Sequence, residues 1–296
     1  MNTSQVIGNG IRPGIKVCAL RSGSSGNALF VGSGSTRLLI DAGVSLRDIE
    51  AALASIGESA AQLTGVLVTH EHTDHARSVG ALMRRYQVPL YINRGTFSAL
   101  QGSLGKIPSQ LVQLFDSNQP FTVNATPGSA FFGQLNLSDA TGGEVQVTGF
   151  RTSHDAAESV AFKIETTAGA VSVCTDLGWP DPLLLDQLSG SRVIFVEANY
   201  DPTMLAAGPY PQHLKQRIAG DFGHLSNFDS ARAIVHFLAH GTEQFVLSHL
   251  SKENNYPELA LTTVNAELAP WQARAGRDFQ VGVAKRFAVS SPLEWI

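Results

Sequence analysis

Short apolar runs alternate with polar turns along the first part of the chain. Three of these runs predict buried strands, because each is short, rich in aliphatic residues and bounded by Gly/Ser turns. They lie at residues 16–20, 28–32 and 37–41. The segment 45–56 instead repeats apolar residues every three or four positions and ends at Gly57, which predicts an amphipathic helix.

The remainder of the chain continues this alternation of strands and helices. Further strands are predicted at residues 65–68, 89–93, 145–152, 160–165, 170–174, 191–196, 245–247 and, at a sheet edge, 279–289. Further helices are predicted at residues 76–86, 96–104, 231–239 and 257–267. The pattern weakens over residues 105–143, where loops and surface strands are expected. We expect a flexible tail at residues 1–14 and a single domain over residues 15–296.

The predicted strand at 65–68 leads directly into a segment with three histidines and an acidic residue. Successive residues of an extended segment face opposite sides, so His70 and His72 point to the same side and can hold one ion together. Asp74 and His75 follow on the first helical turn, where they can face a second ion. Imidazole and carboxylate donors without a thiolate suit zinc, iron or manganese. The alternative, a chance cluster on a surface turn, leaves the spacing and the flanking strand and helix unexplained.

Composition excludes several other classes of protein. The 296 residues are 43% hydrophobic and 16% charged, which is typical of a globular protein. The net charge of -4 argues against strong non-specific attraction to nucleic acid, but two divalent ions would make a site locally positive. Cys18 and Cys174 form no CxxC pair and are expected to be buried thiols. No signal peptide or membrane span is recognisable, so we expect a cytoplasmic protein that does not bind membranes.

The motif HxHxDH at the end of a strand resembles the signature of the metallo-β-lactamase superfamily of hydrolases. Other motifs follow in order over nearly all of residues 16–260: SGSSGN, LLIDAG, VTHEHTDH, TSHDA, TDLG, EANYDPTML, YPQHLKQRI, GHLSN and HLSKENN. Together they resemble the YycJ/WalJ-like branch of that superfamily, which is associated with 5′ to 3′ exonuclease activity on DNA and with DNA repair. Tyr200 departs from the pattern, since many members have histidine there, and this puts a catalytic role for the position in doubt.

The resemblance implies a fold and a set of ligands. The fold would be a four-layer αββα sandwich, in which two mixed sheets lie face to face with helices on both outer sides. Two divalent ions, of zinc, manganese or iron, would bind where the core strands end. Their ligands would be His70, His72 and His154 for one ion, and Asp74, His75 and His249 for the other, with Asp176 bridging. Asp41 would support the metal loop; the alternative is that it is only a turn residue.

The implied reaction is metal-dependent hydrolysis of a phosphodiester. A water shared by two ions loses a proton near neutral pH and becomes a hydroxide nucleophile, and Asp74 would orient that water or receive its proton. The stretch between Asp176 and His249 is too short for the large domain that ribonuclease J carries there. DNA is therefore favoured over RNA as the substrate, and the oligomeric state, including a homodimer, stays open.

His224 is a further candidate catalytic residue. It precedes a predicted helix whose first turn begins with a Ser226 and Asp229 capping pair, and free N–H groups at a helix N-terminus favour phosphate. The alternative is that His224 only packs locally. The other residues expected to contact the substrate phosphate are Ser226, Asn227 and, in the polar turn at 22–27, Ser25 and Asn27. That turn could also be a simple hairpin loop.

Two other functions are compatible with the sequence. The same dinuclear site serves acyl transfer, so the protein could be a hydrolase of small esters, thioesters or lactams, which would need a narrow apolar pocket. A non-catalytic nucleic-acid-binding or regulatory protein is disfavoured by the complete ligand set. Basic residues that could line a nucleic-acid track are Lys215, Arg217 and Lys252. Histidines for which no function is expected are His213, His236 and His240.

Overall fold

Two mixed seven-stranded β-sheets form the centre of the structure. The structure is a computed structural model that describes residues 14–123 and 145–295. The strands are β1 (Ile15–Arg21), β2 (Ala28–Ser33), β3 (Thr36–Ile40), β4 (Gly65–Leu67), β5 (Leu90–Asn93), β6 (Val112–Phe115), β7 (Pro120–Val123), β8 (Val145–Arg151), β9 (Val160–Thr166), β10 (Gly169–Cys174), β11 (Val193–Glu197), β12 (Gln244–Ser248), β13 (Gln280–Val283) and β14 (Leu293–Trp295). The α-helices are α1 (Leu46–Ser55), α2 (Thr73–Ala76), α3 (Val79–Tyr86), α4 (Arg94–Leu100), α5 (Pro182–Leu188), α6 (Pro202–Ala207), α7 (Gln212–Ile218), α8 (Asn227–Ala239) and α9 (Pro257–Leu268).

The order of the strands brings many of their carboxyl ends to one edge. The first sheet has the order β14-β1-β2-β3-β4-β5-β6, and its strands β3 to β6 are parallel. The second has the order β13-β12-β11-β10-β9-β8-β7, and its strands β10 to β13 are parallel. Strand β9 is antiparallel to both β8 and β10, so β8 runs in the same direction as β10. Parallel strands end at the same edge, which is where α/β sheets bind ligands.

Three layers of apolar side chains hold the sandwich together. Neighbouring residues of β3 divide between two of them, because successive side chains face opposite sides of a strand. Leu38 packs between the two sheets with Phe162, whereas Leu39 packs under the first sheet's helices with Leu53. A third layer lies between the second sheet and α5, α8 and α9 and includes Phe237. The predicted four-layer αββα fold is therefore confirmed.

Several short elements differ from the prediction. The predicted helix at 76–86 is two helices, α2 and α3, and the predicted strand at 279–289 pairs only over Gln280–Val283. Strand β14 and helices α5, α6 and α7 were not predicted, because their short stretches carry too few residues to show a period. Strands β6 and β7 lie within residues 105–143, where surface strands were expected. The expected tail lies outside the described residues, except for Gly14. Within the described residues, no helix is both long enough and apolar enough to span a lipid bilayer.

The loops that follow β1, β3 and β4 pack closely together. The backbone N–H of Asn27 donates to the carbonyl of Asp74 at 2.8 Å, and the N–H of Ala42 donates to the carbonyl of His75 at 2.7 Å. Gly43 lies between these loops, and a Cβ atom there would be 1.6 Å from the Asp74 carbonyl oxygen. The HxHxDH segment is thus held by backbone contacts that only glycine permits at position 43.

We expect Gly43→Ala to lower the free energy of unfolding by about 1–3 kcal/mol or more, because the added methyl group must push backbone atoms apart. Urea unfolding of the metal-free protein measures this. Gly102→Ala is a matched control, since a Cβ atom at Gly102 meets nothing within 4 Å. Equal stability of the two variants would contradict the close contact at Gly43.

Candidate active site

The candidate ligands lie at the carboxyl ends of strands in both sheets. His70 follows β4, and the HxHxDH segment then continues into α2. In the second sheet, His154 follows β8, Asp176 follows β10 and His249 follows β12. Asp176 and His249 have positive φ angles of 61° and 57°, a conformation that costs side-chain-bearing residues of order 1–2 kcal/mol. The strands thus end in sharp turns that direct these side chains to one place.

The structure brings all seven predicted ligands together. Among the described residues, two of the five groups whose donor atoms lie within 4.8 Å of one another match the predicted division: His70, His72 and His154, and Asp74, His75 and His249. Asp176 lies between them, with its carboxylate oxygens 3.3 Å from His75 Nε2 and 3.7 Å from His154 Nε2. No sequence-predicted ligand lies outside this cluster.

Three buried polar atoms in this cluster suit a cation. Among the described residues, His70 Nε2, His249 Nε2 and Asp176 Oδ2 have no hydrogen-bond partner. Leaving such atoms unpaired in a protein interior costs free energy, and a divalent ion is a partner that imidazole nitrogens and carboxylate oxygens could share. The donor set therefore fits divalent metal binding.

Buried carboxylates, one from each sheet, orient two of the histidines. Asp41 Oδ2 lies 2.7 Å from His75 Nδ1, and Asp41 Oδ1 accepts the backbone N–H of Thr69 at 2.9 Å. Glu197 Oε1 lies 2.8 Å from His249 Nδ1. A carboxylate only accepts, so each Nδ1 carries the proton and leaves Nε2 for the cluster. The predicted supporting position of Asp41 agrees with these contacts.

Glu197 is the site residue that the sequence analysis missed. It is fully buried at the end of β11, and its Oε1 also lies 2.9 Å from His224 Nδ1. Its Oε2 accepts the backbone N–H groups of Leu177 and Leu225 at 3.0 and 3.2 Å. The sequence did contain an indication of this role. Glu197 ends a strand that is otherwise entirely apolar, and several predicted ligands likewise follow apolar strands. One carboxylate thereby links His224 to His249.

A family model described as the metallo-beta-lactamase superfamily matches residues 21–172. The chain belongs to this superfamily. It is 35% identical over 270 residues to the exodeoxyribonuclease WalJ of Streptococcus pneumoniae (strain D39), covering 90% of this chain and 93% of that protein. It is 32% identical over 268 residues to the exodeoxyribonuclease YycJ of Bacillus anthracis, covering 90% and 94%. The predicted family is thereby confirmed.

Solved structures show the same fold. The metallo-beta-lactamase fold protein YhfI from Bacillus subtilis superimposes with a TM-score of 0.67 at 16% identity, covering 96% of this chain and 100% of that one. At that identity the likeness concerns the fold alone. The enzyme class predicted from the motifs, a metal-dependent hydrolase, is the class of this superfamily.

Burial and the neighbouring charges shift the pKa values of the histidines and of Asp74 in this site, often in opposite directions. Burial lowers the pKa of His70 well below its usual value, and the neighbouring His75 lowers it further. Burial also disfavours a charge on His75, but Asp176 and Asp41 outweigh it and raise the pKa of His75 to about 9. Burial would likewise raise the pKa of Asp74, but His249, whose Nε2 lies 3.6 Å from Asp74 Oδ2, and His75 hold it well below its usual range. Asp74 is therefore ionised at neutral pH.

We expect the metal-free protein to release protons when it binds a divalent ion. A pKa of about 9 keeps His75 protonated at pH 7, and carboxylates raise the pKa of His249 against the effect of burial. A metal needs neutral imidazole, so its apparent affinity should rise as the pH increases from 7 to 9. Calorimetric titration with Zn²⁺ at pH 7, in two buffers of different ionisation enthalpy, counts the protons. Release of no proton would show that both rings are already neutral.

Three of the residues predicted to contact phosphate have buried side chains. Asn227 is fully buried and exchanges side-chain hydrogen bonds with Asn255 at 3.1 and 2.8 Å. Ser226 is buried and caps α8, accepting the Asp229 N–H at 3.2 Å. Asn27 is buried, accepts the N–H of Gly23 and lies 2.9 Å from His75 Nε2. The Asn227 and Ser226 side chains are thus engaged in contacts within the protein, whereas the Asn27 amide lies against the candidate ligand His75. Ser25 is exposed, and its substrate contact stays a prediction.

The other polar residues singled out in the sequence lie around the site or away from it. Arg217 pairs with Asp155, which lies 3.5 Å from His154 Nε2. Lys215 donates to a backbone carbonyl of α6, and Lys252 lies 3.4 Å from Glu253. Tyr200 is buried and packs in a small apolar cluster, so a packing role explains this position. The histidines expected to have no function are on α7 and at the end of α8: His213, His236 and His240.

Proposed function

We propose that this protein is a dinuclear metal-dependent phosphodiesterase that degrades DNA from the 5′ end. The observation that carries the proposal is the complete ligand cluster in a chain that is 35% identical, over 90% of its length, to a protein named as an exodeoxyribonuclease. A member of the fold that had lost catalysis would be expected to have lost ligands. A cytoplasmic location, where DNA is available, belongs to the same proposal.

The two ligand sets support two ions. His70, His72 and His154 would hold one, Asp74, His75 and His249 the other, and Asp176 would touch both. Bound there, divalent ions lower the pKa of a water molecule and offset negative charge on a phosphate. Which of zinc, manganese and iron fills the site depends on supply as well as on these ligand types.

The protein's own residues would move the protons. Asp74 is ionised and half-buried, so its carboxylate can orient the attacking water by accepting a hydrogen bond from it. His224 lies beside the cluster, with its ring centroid 5.1 Å from that of His154, and its side chain is 16% exposed. Glu197 holds its Nδ1, so Nε2 is the ring nitrogen left to meet a substrate oxygen. We infer that His224 contacts the scissile phosphate and protonates the departing oxygen.

The test is digestion of single-stranded and double-stranded DNA, and of RNA of the same sequence, labelled at either end, with added Mn²⁺. Mononucleotides released first from the 5′ end of DNA would support the proposal and its polarity. Activity should disappear with EDTA and return with excess Mn²⁺. A protein that retains two metals but leaves DNA and RNA intact would overturn the nuclease proposal. Esters, thioesters and lactams would then be the substrates to screen.

A further inference from the structure

A groove of about 470 Å³ opens beside the candidate ligand His249. We call it the aromatic groove, and its defining residues are Ser22, Leu250, Lys252, Tyr256, Arg286 and Phe287. Two contacts join it to the site. Ser22 Oγ accepts the backbone N–H of His249 at 2.9 Å, and Leu250 is the next residue along the chain. A ligand in this groove would therefore lie beside the chain segment that carries the candidate ligand His249.

A cation lies in the aromatic groove without an acidic partner. The Arg286 guanidinium donates to the Leu250 carbonyl, and its stem passes Gly23, where a Cβ atom would be 3.3 Å from Arg286 Cγ. In the described part of the chain, Arg286 forms no salt bridge, and its Nη1 has no hydrogen-bond partner. Lys285 also lines the groove. Because no described carboxylate forms a salt bridge with Arg286 or Lys285, an anionic ligand fits the groove better than a neutral one.

Large aromatic rings stand exposed beside these cations. Phe287 is 67% exposed and Tyr256 is 49% exposed. The Arg286 guanidinium lies over the Phe287 ring at 5.7 Å from its centroid. Exposed aromatic rings next to positive charge form the surface on which unpaired nucleobases stack while phosphates meet the cations. A duplex could not use these rings, because its bases are already stacked on one another.

We propose that the aromatic groove binds the unpaired nucleotides of a DNA strand adjacent to the scissile phosphate. This inference rests on the proposed function. Bases stack on Phe287 and Tyr256, and the backbone phosphates lie against Arg286 and Lys285. Every base has a flat π-face, so the groove accepts any sequence. The enzyme therefore prefers single-stranded ends or frayed ends to blunt duplexes.

Binding of fluorescein-labelled (dT)12, followed by fluorescence anisotropy in EDTA, tests the groove without turnover. We expect Phe287→Ala and Tyr256→Ala each to raise Kd about tenfold, as loss of one stacked base does. The matched control is Trp271→Ala, because Trp271 is 68% exposed but follows the far end of α9. Its Kd should equal that of the wild type. Equal Kd values for all four proteins would overturn the inference.

The salt dependence of the same binding tests the phosphate contact. For a single strand, each phosphate neutralised by a cation adds about 0.7 to the slope of log K against log salt concentration. Arg286→Gln should reduce the slope by about this amount. Arg277→Gln should not, since Arg277 is paired with Asp278 outside the groove. Thermal unfolding checks that Arg286→Gln still folds. A folded variant with an unchanged slope would remove Arg286 from the interface.

Turnover separates this inference from the proposed function. In steady-state digestion of single-stranded DNA, loss of Phe287 should raise KM rather than lower kcat. If the wild type cleaves DNA but Phe287→Ala and Trp271→Ala have the same KM and kcat, the groove proposal is wrong and the nuclease proposal is retained. If the aromatic variants weaken DNA binding while the wild type cleaves no nucleic acid, the nuclease fails and the binding groove stands. If (dT)12 binds no more tightly than a blunt duplex, the preference for a single strand is wrong.

Discussion

Asp176→Asn is expected to lower the rate of DNA hydrolysis by about a thousandfold or more. The buried Asp176 carboxylate lies 3.3 Å from His75, 3.4 Å from His249 and 3.7 Å from His154, so it contacts both ligand sets. The substitution removes its charge at almost constant volume, and asparagine tolerates the positive φ of this position. A metal site contributes several kcal/mol to transition-state stabilisation, and about 4 kcal/mol corresponds to a thousandfold change in rate.

Metal content and turnover should be measured on the same Asp176→Asn samples. We expect the variant to bind less than the wild type's complement of metal, by elemental analysis after dialysis. Asp278→Asn is the control, because Asp278 is exposed and precedes β13, at the end of the sheet opposite the cluster. A variant that kept both metals and the wild-type rate would show that the Asp176 carboxylate does not bridge.

Glu197→Gln is expected to lower kcat for DNA by about 10²- to 10⁴-fold, the range of a lost general acid. Glu197 Oε1 accepts from the Nδ1 atoms of His224 and His249, and Oε2 accepts from the backbone N–H groups of Leu177 and Leu225. Glutamine presents an NH₂ group to one of these two pairs of donors. Buried donors are then left unpaired, which also lowers the free energy of unfolding by about 1–3 kcal/mol.

The leaving group distinguishes a role in proton transfer from a purely structural role. Hydrolysis of bis(p-nitrophenyl) phosphate expels a stable anion, whereas DNA cleavage expels an alkoxide that needs a proton. If Glu197 acts by orienting His224 as the acid, Glu197→Gln should slow DNA cleavage much more than it slows hydrolysis of the nitrophenyl ester. Equal losses on both substrates would mean that Glu197 only holds the site together. Glu165→Gln, on β9, is the control for carboxamide replacement.

Four of the candidate ligand positions were predictable because they lie close together in the sequence. His70, His72, Asp74 and His75 are contiguous, and the strand before them is recognisable from its apolar run. Glu197 was harder to recognise, since its two histidine partners follow 27 and 52 residues later. A single acidic residue at a strand end is part of no repeating pattern or spaced motif that would indicate its role. Its role became visible only through its distances to the two imidazoles.

The predicted cap of α8 is present in the structure, but the side chain that follows it is buried. The Ser226 and Asp229 pair begins α8 as predicted, with Asp229 N–H donating to Ser226 Oγ and that hydroxyl donating to Asp229 at 2.6 Å. The same helix end was expected to present Asn227 to a phosphate. Instead, Asn227 pairs with Asn255, 28 residues away, inside the protein. Capping depends on residues within one turn, whereas burial depends on what the rest of the chain packs against that turn.

The local sequence specifies the strand and helix periods, the order of the candidate ligands and the residue types of the site. Those properties follow from side chains that are neighbours along the chain. The tertiary structure decided which carboxylates orient the histidines, which predicted substrate contacts are buried, and where the aromatic groove lies. Each of these joins segments that are far apart in sequence, such as Ser22, His249 and Arg286. Only the packing of the two sheets and their loops places such segments within hydrogen-bonding distance.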